Sequence, residues 1–206
     1  MNDDENCSIL TKIRKFAGHH KRQWKKQVRN TFHFEAKSYY RSYIANSEVS
    51  ALNEQLVQDI LSYNPKSVLE FGCGVGKNLE LLKEKVDEHL GIDISAKAVE
   101  IARKKNLNVI NGDELKLKTI KNHDIVFTCS VLDHIKDIDN IVSELKRAAN
   151  LAIIIAETNT KVGRFYYPHD YESLGFVKTY YVYISNQAKK EATYYIWHYR
   201  QNSQLQ

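Results

Sequence analysis

The sequence predicts an α/β fold: a mostly parallel seven-stranded sheet, doubly wound by helices on both faces and ended by a C-terminal antiparallel hairpin. Three observations predict it. From Ser67 onward, short apolar runs alternate with amphipathic stretches, the pattern of strands buried on both faces and joined by helices. The stretch "VLEFGCGVG", residues 68–76, sets glycines at every second position directly behind such a run. The last stretch reads differently, with "FVKTYYVYIS" and "ATYYIWHYR" as two aromatic-rich strands joined by the polar "NQAKKE".

Ahead of the first strand, Val49, Leu52, Leu56, Val57, Ile60 and Leu61 recur at helical spacing, and Asn64-Pro65 ends that helix. Strands are then predicted over 67–71, 88–92, 107–110, 124–129 and 151–156, with helices near 77–86, 96–105 and 136–149. In an open α/β sheet, ligands lie beyond the carboxyl ends of the strands, where a glycine loop lets the backbone approach them and present N–H groups at the next helix. Gly72, Gly74 and Gly76 are placed for that role, which makes the sheet Rossmann-like. A dinucleotide fingerprint would need glycine at position 77, where Lys77 stands, so the spacing G-x-G-x-G weakens a nicotinamide reading.

At 206 residues with 43% hydrophobic content, the chain builds one substantial core, and the economical organisation is one domain over 48–206 behind a basic N-terminal extension, 1–47. The longest purely apolar run, "LAIIIA", is far too short to span a bilayer, and "MNDDEN" lacks the basic start of a signal peptide, so no membrane insertion and a cytoplasmic location are expected. Cys7, Cys73 and Cys129 are widely spaced and odd in number, which suggests neither a disulfide framework nor a metal site. Between Thr11 and Asn30 there are eight Lys/Arg and no Asp/Glu, more than the whole net charge of +5. Interleaved with Phe16 and Trp24, these cations suit nucleic-acid phosphates or an anionic membrane surface. A charge run is more often a solvated helix or a flexible arm, and that reading is preferred.

Four motifs in order resemble those of the class I S-adenosylmethionine (SAM)-dependent methyltransferases, specifically the small type-11-like group. The resemblance runs from about Ser67 to Ile155. It implies that "VLEFGCGVG" passes under the methionine part of SAM, with Gly72, Cys73, Gly74 and Gly76 in the loop and Glu70 near the amino group. "GIDIS" implies Asp93 on both ribose hydroxyls, with Ile94 beside it. "NGDE" implies Asp113 at the adenine amino group, followed by Glu114. "DIVFTCSVLDHI" implies Cys129 and Ser130 beside the cofactor and His134 at the mouth of the pocket.

The residues themselves support the same assignment. Asp93 ends an apolar strand and precedes Ser95, a helix N-cap, so its carboxylate projects toward the ligand crevice, where it can accept two hydroxyl hydrogens. Asp113 is open to a second reading, because "NGD" is also ordinary turn chemistry. Glu70 reads either as a strand-end carboxylate satisfied by backbone N–H groups or as a negative neighbour for a cationic ligand. His134 and His169 are the candidate bases, since methyl transfer to an alcohol or ammonium requires proton removal as well as in-line alignment. His134 also fits a residue that caps or packs a helix start, and His169 a solvated loop histidine. In "ETNTKVGRFYYPHDYESLGF", Lys161 and Arg164 suit a carboxylate or phosphate, while Phe165, Tyr166 and Tyr167 suit the walls of a flat acceptor. "FEAKSYYRSYI" would bring Tyr39, Arg41 or Tyr43 near the methionine carboxylate, as the resemblance implies. Together these favour methyl transfer from SAM, with S-adenosylhomocysteine (SAH) as product, to an O or N atom of a small, anionic acceptor. Alternatives are an RNA or protein methylase using the basic arm, a SAM-binding module without catalysis, and a nicotinamide enzyme.

Overall fold

The computed structural model describes residues 48–158, 166–186 and 190–201; the basic segment, Tyr39, Arg41, Tyr43, Lys161, Arg164 and Phe165 lie outside the described residues. Helix α1 (Glu48–Leu61) leads into β1 (Ser67–Phe71), α2 (Lys77–Leu82), β2 (Glu88–Asp93), α3 (Ala96–Arg103) and β3 (Val109–Asn111). A short α4 (Glu114–Leu117), β4 (His123–Cys129), a 3-10 turn (Leu132–His134), α5 (Asp139–Ala148) and β5 (Ala149–Glu157) follow. The hairpin β6 (Val177–Asn186) and β7 (Lys190–Arg200) completes a seven-stranded sheet of order β3-β2-β1-β4-β5-β7-β6. The first five strands run parallel, and β7 is antiparallel to both neighbours.

Period-2 alternation sorts the strand side chains into two cores. Val68, Ile125, Phe127, Ala152, Ile154 and Ile196 face one side, with Leu52, Leu56 and Ile60 of α1, Leu79 and Leu82 of α2, and Val99 of α3. Leu69, Val126, Ile153, Ile155 and Trp197 face the other, with Leu117 of α4 and Ile141, Val142 and Leu145 of α5. Each Val, Leu, Ile or Phe among them, fully buried, stabilises by roughly 1.5–3 kcal/mol relative to exposure. The strand order reverses between β1 and β4, and an open α/β sheet carries its ligand crevice at that switch point.

Several boundaries differ from the sequence reading, and three of them have a clear local reason. Strand β3 starts at Val109 rather than 107, because Asn106 adopts φ 59 and the Leu107 N–H returns to the Ala102 carbonyl, so Leu107 packs with the helix side. Helix α5 starts at Asp139 rather than 136, since the chain leaving β4 first makes the 3-10 turn. Strand β5 starts directly at the helix end, where Ala149 pairs with His123, rather than at 151. Ser95 caps α3 as its position suggests, accepting from the Ala98 N–H at 3.2 Å. Among the described residues, no helix is long and apolar enough to cross a membrane.

Candidate active site

The loop leaving β1 holds Gly72, Gly74 and Gly76 at φ 77, 53 and 76, a region L side chains rarely adopt. A Cβ on Gly72 would stand 2.2 Å from Val131 Cγ2, and one on Gly76 2.2 Å from Leu107 Cδ1. A Cβ on Gly74 would meet nothing within 4 Å. The first and third glycines are thus required by the protein's own packing, and the middle one leaves room beside a cavity.

That cavity measures about 340 Å³ and lies at the carboxyl ends of β1, β2 and β4. Glu70, Gly72, Cys73, Gly74, Asp93, Ile94, Asp113, Glu114, Cys129, Ser130 and His134 all line it. Gly76, His169, Tyr166 and Tyr167 are not among its lining residues.

Asp93 ties the loop together. Its Oδ2 accepts the Gly74 N–H and its Oδ1 accepts the Ser95 N–H, both at 2.7 Å, and each oxygen keeps a second lone pair. Burial lifts its carboxyl above the usual range, against the two amide donors. Asp113 serves as N-cap of α4, accepting from the Leu115 N–H at 3.1 Å, so its turn role and its place on the cavity coexist.

Glu70 is buried beneath the glycine loop. Its Oε1 accepts from Asn78 Nδ2 at 2.6 Å, while Oε2 has no hydrogen-bond partner among the described residues. Burial pushes its pKa up to about 8; the Asn78 hydrogen bond and Lys77 pull the other way, and Asp93 adds to the rise. Burial also lowers the Lys77 ammonium to about 7, against the pull of Cys129 and Glu70. The Cys129 thiol, pushed up to about 12 by burial, and the Cys73 thiol, raised likewise, are no nucleophiles at neutral pH.

The turn after β4 is built on Glu157, the carboxylate at the end of β5. Its Oε1 accepts the N–H groups of Val131 and Leu132 at 2.8 and 2.9 Å, which fixes the turn that carries His134. Burial and the neighbouring Asp133 hold its carboxyl well above the usual range. Asp133 in turn accepts from Thr158 Oγ1 at 3.1 Å. The segment after residue 165 docks on the same turn: the Tyr167 N–H donates to the Asp133 carbonyl at 2.7 Å, and His169 Nε2 lies 3.0 Å from the Leu132 carbonyl. A carbonyl only accepts, so that His169 nitrogen carries the proton. Tyr166 packs its ring 4.8 Å from that of His134. Of the two candidate bases, the structure therefore brings His134 to the cavity and employs one nitrogen of His169 in holding the loop.

Sequence reasoning missed Asn53, Lys77 and Asn78 on the cavity wall, and Glu157 and Asp133 behind it. The one available signal was Glu157 itself, an acid closing the apolar strand "LAIIIAE".

The fold is shared with solved methyltransferases. Magnesium protoporphyrin IX methyltransferase from Synechocystis PCC 6803, with bound SAH, aligns at TM-score 0.66 and 17% identity over 84% of this chain and 99% of that one. The N-methyltransferase NodS from Bradyrhizobium japonicum WM9, also with SAH, aligns at 0.63 and 16% over 77% and 89%. A SAM-dependent methyltransferase from Archaeoglobus fulgidus aligns at 0.60 and 18% over 80% and 99%. No curated protein matches this chain by sequence. Residues 69–150 match the Methyltransf_11 family model, described as a methyltransferase domain. Residues 69–150 thus carry a methyltransferase domain, set in the fold that these solved enzymes share.

The residues that line the cavity fit SAM as a cofactor. Space beside Gly74, the free lone pairs of Asp93 and the unpartnered Glu70 Oε2 suit a ligand that offers hydroxyls and a cation. The glycines also give a test. Gly74→Ala should cost only about 1–2 kcal/mol of stability, for its backbone conformation, yet weaken SAH binding tenfold or more in calorimetry. Gly72→Ala should instead lower thermal stability by about 2–4 kcal/mol, because strain and a clash with Val131 add.

Proposed function

We propose that this methyltransferase transfers the methyl group of SAM to an O or N atom of a small, anionic metabolite. SAM supplies, when bound, an electrophilic methyl group on a sulfonium; the chain supplies binding, alignment and proton removal. In this reading Asp93 accepts from the ribose hydroxyls, Asp113 and Glu114 form the adenine end, and Glu70 faces the amino group. Cys129 and Ser130 border the methionine part as neutral groups. His134 accepts the proton of the acceptor's O–H or N–H, and Tyr166 backs its ring. His169 and Tyr167 shape the acceptor wall by holding their segment to the turn, and Arg164 and Lys161 provide the positive charge for an anionic acceptor. The catalytic domain is 48–206, and residues 1–47 form a basic extension.

The observation that carries the reading is His134 on the wall of the cavity assigned to SAM, on a turn locked by Glu157 and with the Tyr166 ring packed against it. His134→Ala should cut turnover about 100-fold with SAH affinity kept within a few-fold, as general-base loss does. Equal loss of turnover and SAH affinity would make His134 a pocket-shaping residue instead, and full activity from pH 6 to 9 would leave catalysis to alignment alone.

The eight cations between Thr11 and Asn30 favour a second reading, an RNA methylase that uses this arm. It predicts retention on RNA that falls steeply as salt rises and is lost on deleting residues 1–30. The small-acceptor reading predicts that this deletion leaves SAH affinity and turnover nearly unchanged.

A further inference from the structure

Helix α1 buries Leu52, Leu56, Val57 and Ile60 in the core, and Asn53 is buried with them, 3% exposed. An amide in that position is costly unless its polar atoms are paired. Only one end is paired. Asn53 Nδ2 donates to Asn78 Oδ1, and Asn78 Nδ2 donates to Glu70 Oε1, forming a three-residue chain from α1 to the end of β1. Its direction is set when Glu70 is ionised: Oε1 then accepts, so Asn78 turns its amino group to Glu70 and its carbonyl to Asn53. Asn53 must then present its own amino group to Asn78. With Glu70 ionised, two acceptors are left over, Asn53 Oδ1 and Glu70 Oε2, both buried and without a hydrogen-bond partner among the described residues. Asn53, Asn78 and Glu70 all line the cofactor cavity.

Two orphaned acceptors on one cavity wall specify the chemistry of what completes them. A carboxylate or phosphate would add acceptors to acceptors, and an apolar group would leave both unsatisfied. A primary ammonium offers three donors and a charge that suits the carboxyl beside it.

We infer that Asn53 is a cofactor-binding residue supplied by the helix ahead of the first strand, its Oδ1 and Glu70 Oε2 together receiving the ammonium of the methionine moiety. The inference rests on the SAM cofactor and extends the site to a helix outside the matched residues 69–150. Asn78 fixes the direction of both acceptors, so α1 belongs to the ligand site as well as to the core.

The test compares two ligands by calorimetry on the full chain: SAH, and 5′-methylthioadenosine, which keeps the nucleoside and thioether but lacks the amino acid. Asn53→Leu keeps side-chain size on an apolar helix face and removes the acceptor. It should weaken SAH about tenfold or more while changing methylthioadenosine less than about twofold. Asn53→Asp retains an acceptor oxygen for the ammonium and should keep most of the wild-type preference for SAH over methylthioadenosine. Equal weakening of both ligands by Asn53→Leu would mean that Asn53 only packs the helix and would overturn the inference, as would unchanged SAH affinity or loss of the preference in Asn53→Asp. If wild-type chain bound neither ligand, the cofactor assignment would fall first and this inference with it. Should Asn53→Leu not fold, Asn53→Asp alone decides by whether that preference survives.

Discussion

Replacing Asp93 by alanine is expected to weaken SAH binding 100-fold or more. The first part of the loss is direct. Charge-assisted hydrogen bonds from ribose hydroxyls contribute on the order of 1.5–3 kcal/mol. The second part is structural, because the same carboxylate accepts the N–H groups of Gly74 and Ser95 at 2.7 Å. Removing it leaves both amides without their acceptor and loosens the loop that lies beside the cavity. Asp93→Asn, which keeps the shape and one acceptor, should lose less affinity and less thermal stability than Asp93→Ala. Unchanged SAH affinity in the alanine variant would refute the ribose role.

SAH affinity is also expected to rise with pH between about 6 and 8. In the empty site Glu70 holds its proton up to about pH 8 because it is buried. An ammonium binds better to the ionised carboxylate, so below that pH binding must release a proton. One proton released corresponds to about tenfold in affinity per pH unit, up to roughly 100-fold across the window. The groups facing Glu70 do not cancel this. Lys77 loses its charge near pH 7, which also favours a cationic ligand at higher pH, while Asp93, Cys73 and Cys129 gain no positive charge there. Methylthioadenosine, which has no ammonium, should bind without this slope, and Glu70→Gln should flatten it for SAH.

The same shift has a consequence for the ligand-free protein, with the opposite sign. A carboxyl whose pKa is raised in the fold favours the folded state fully below the unfolded value of 4.5. That advantage is lost as pH rises toward about 8. Unfolding free energy should therefore fall with pH over this range, with Glu70 contributing at most about 1.4 kcal/mol per unit. Glu157 and Asp93, raised likewise, add to this fall, so Glu70→Gln should lessen the slope by the Glu70 share and leave theirs.

What could be read from the sequence was local. The glycine spacing, the acid ending β2 and the Ser95 cap are each set within a few residues, and the structure brings Glu70, Asp93, Asp113, Cys129, Ser130 and His134 to one cavity. The seven strands and the terminal hairpin follow from alternation that the two cores then use. Contacts that depend on strand order were not legible. Glu157 meets the turn after β4 only because β5 lies beside β4, 25 residues or more along the chain. Asn53 sits within an apolar helical stripe, and its partner Asn78 is likewise 25 residues away. His169 was placed by loop order on the acceptor side, but sequence order does not show that its ring nitrogen is engaged by the Leu132 carbonyl.

The most direct test of the account is where the methyl group goes. The full chain would be incubated with methyl-labelled SAM and a cell extract separated into small-molecule, RNA and protein fractions. The account predicts label in the small-molecule fraction, on anionic compounds, with the signal cut about 100-fold in His134→Ala and lost in Asp93→Ala. Label confined to RNA or to protein, and abolished by deleting residues 1–30, would contradict it.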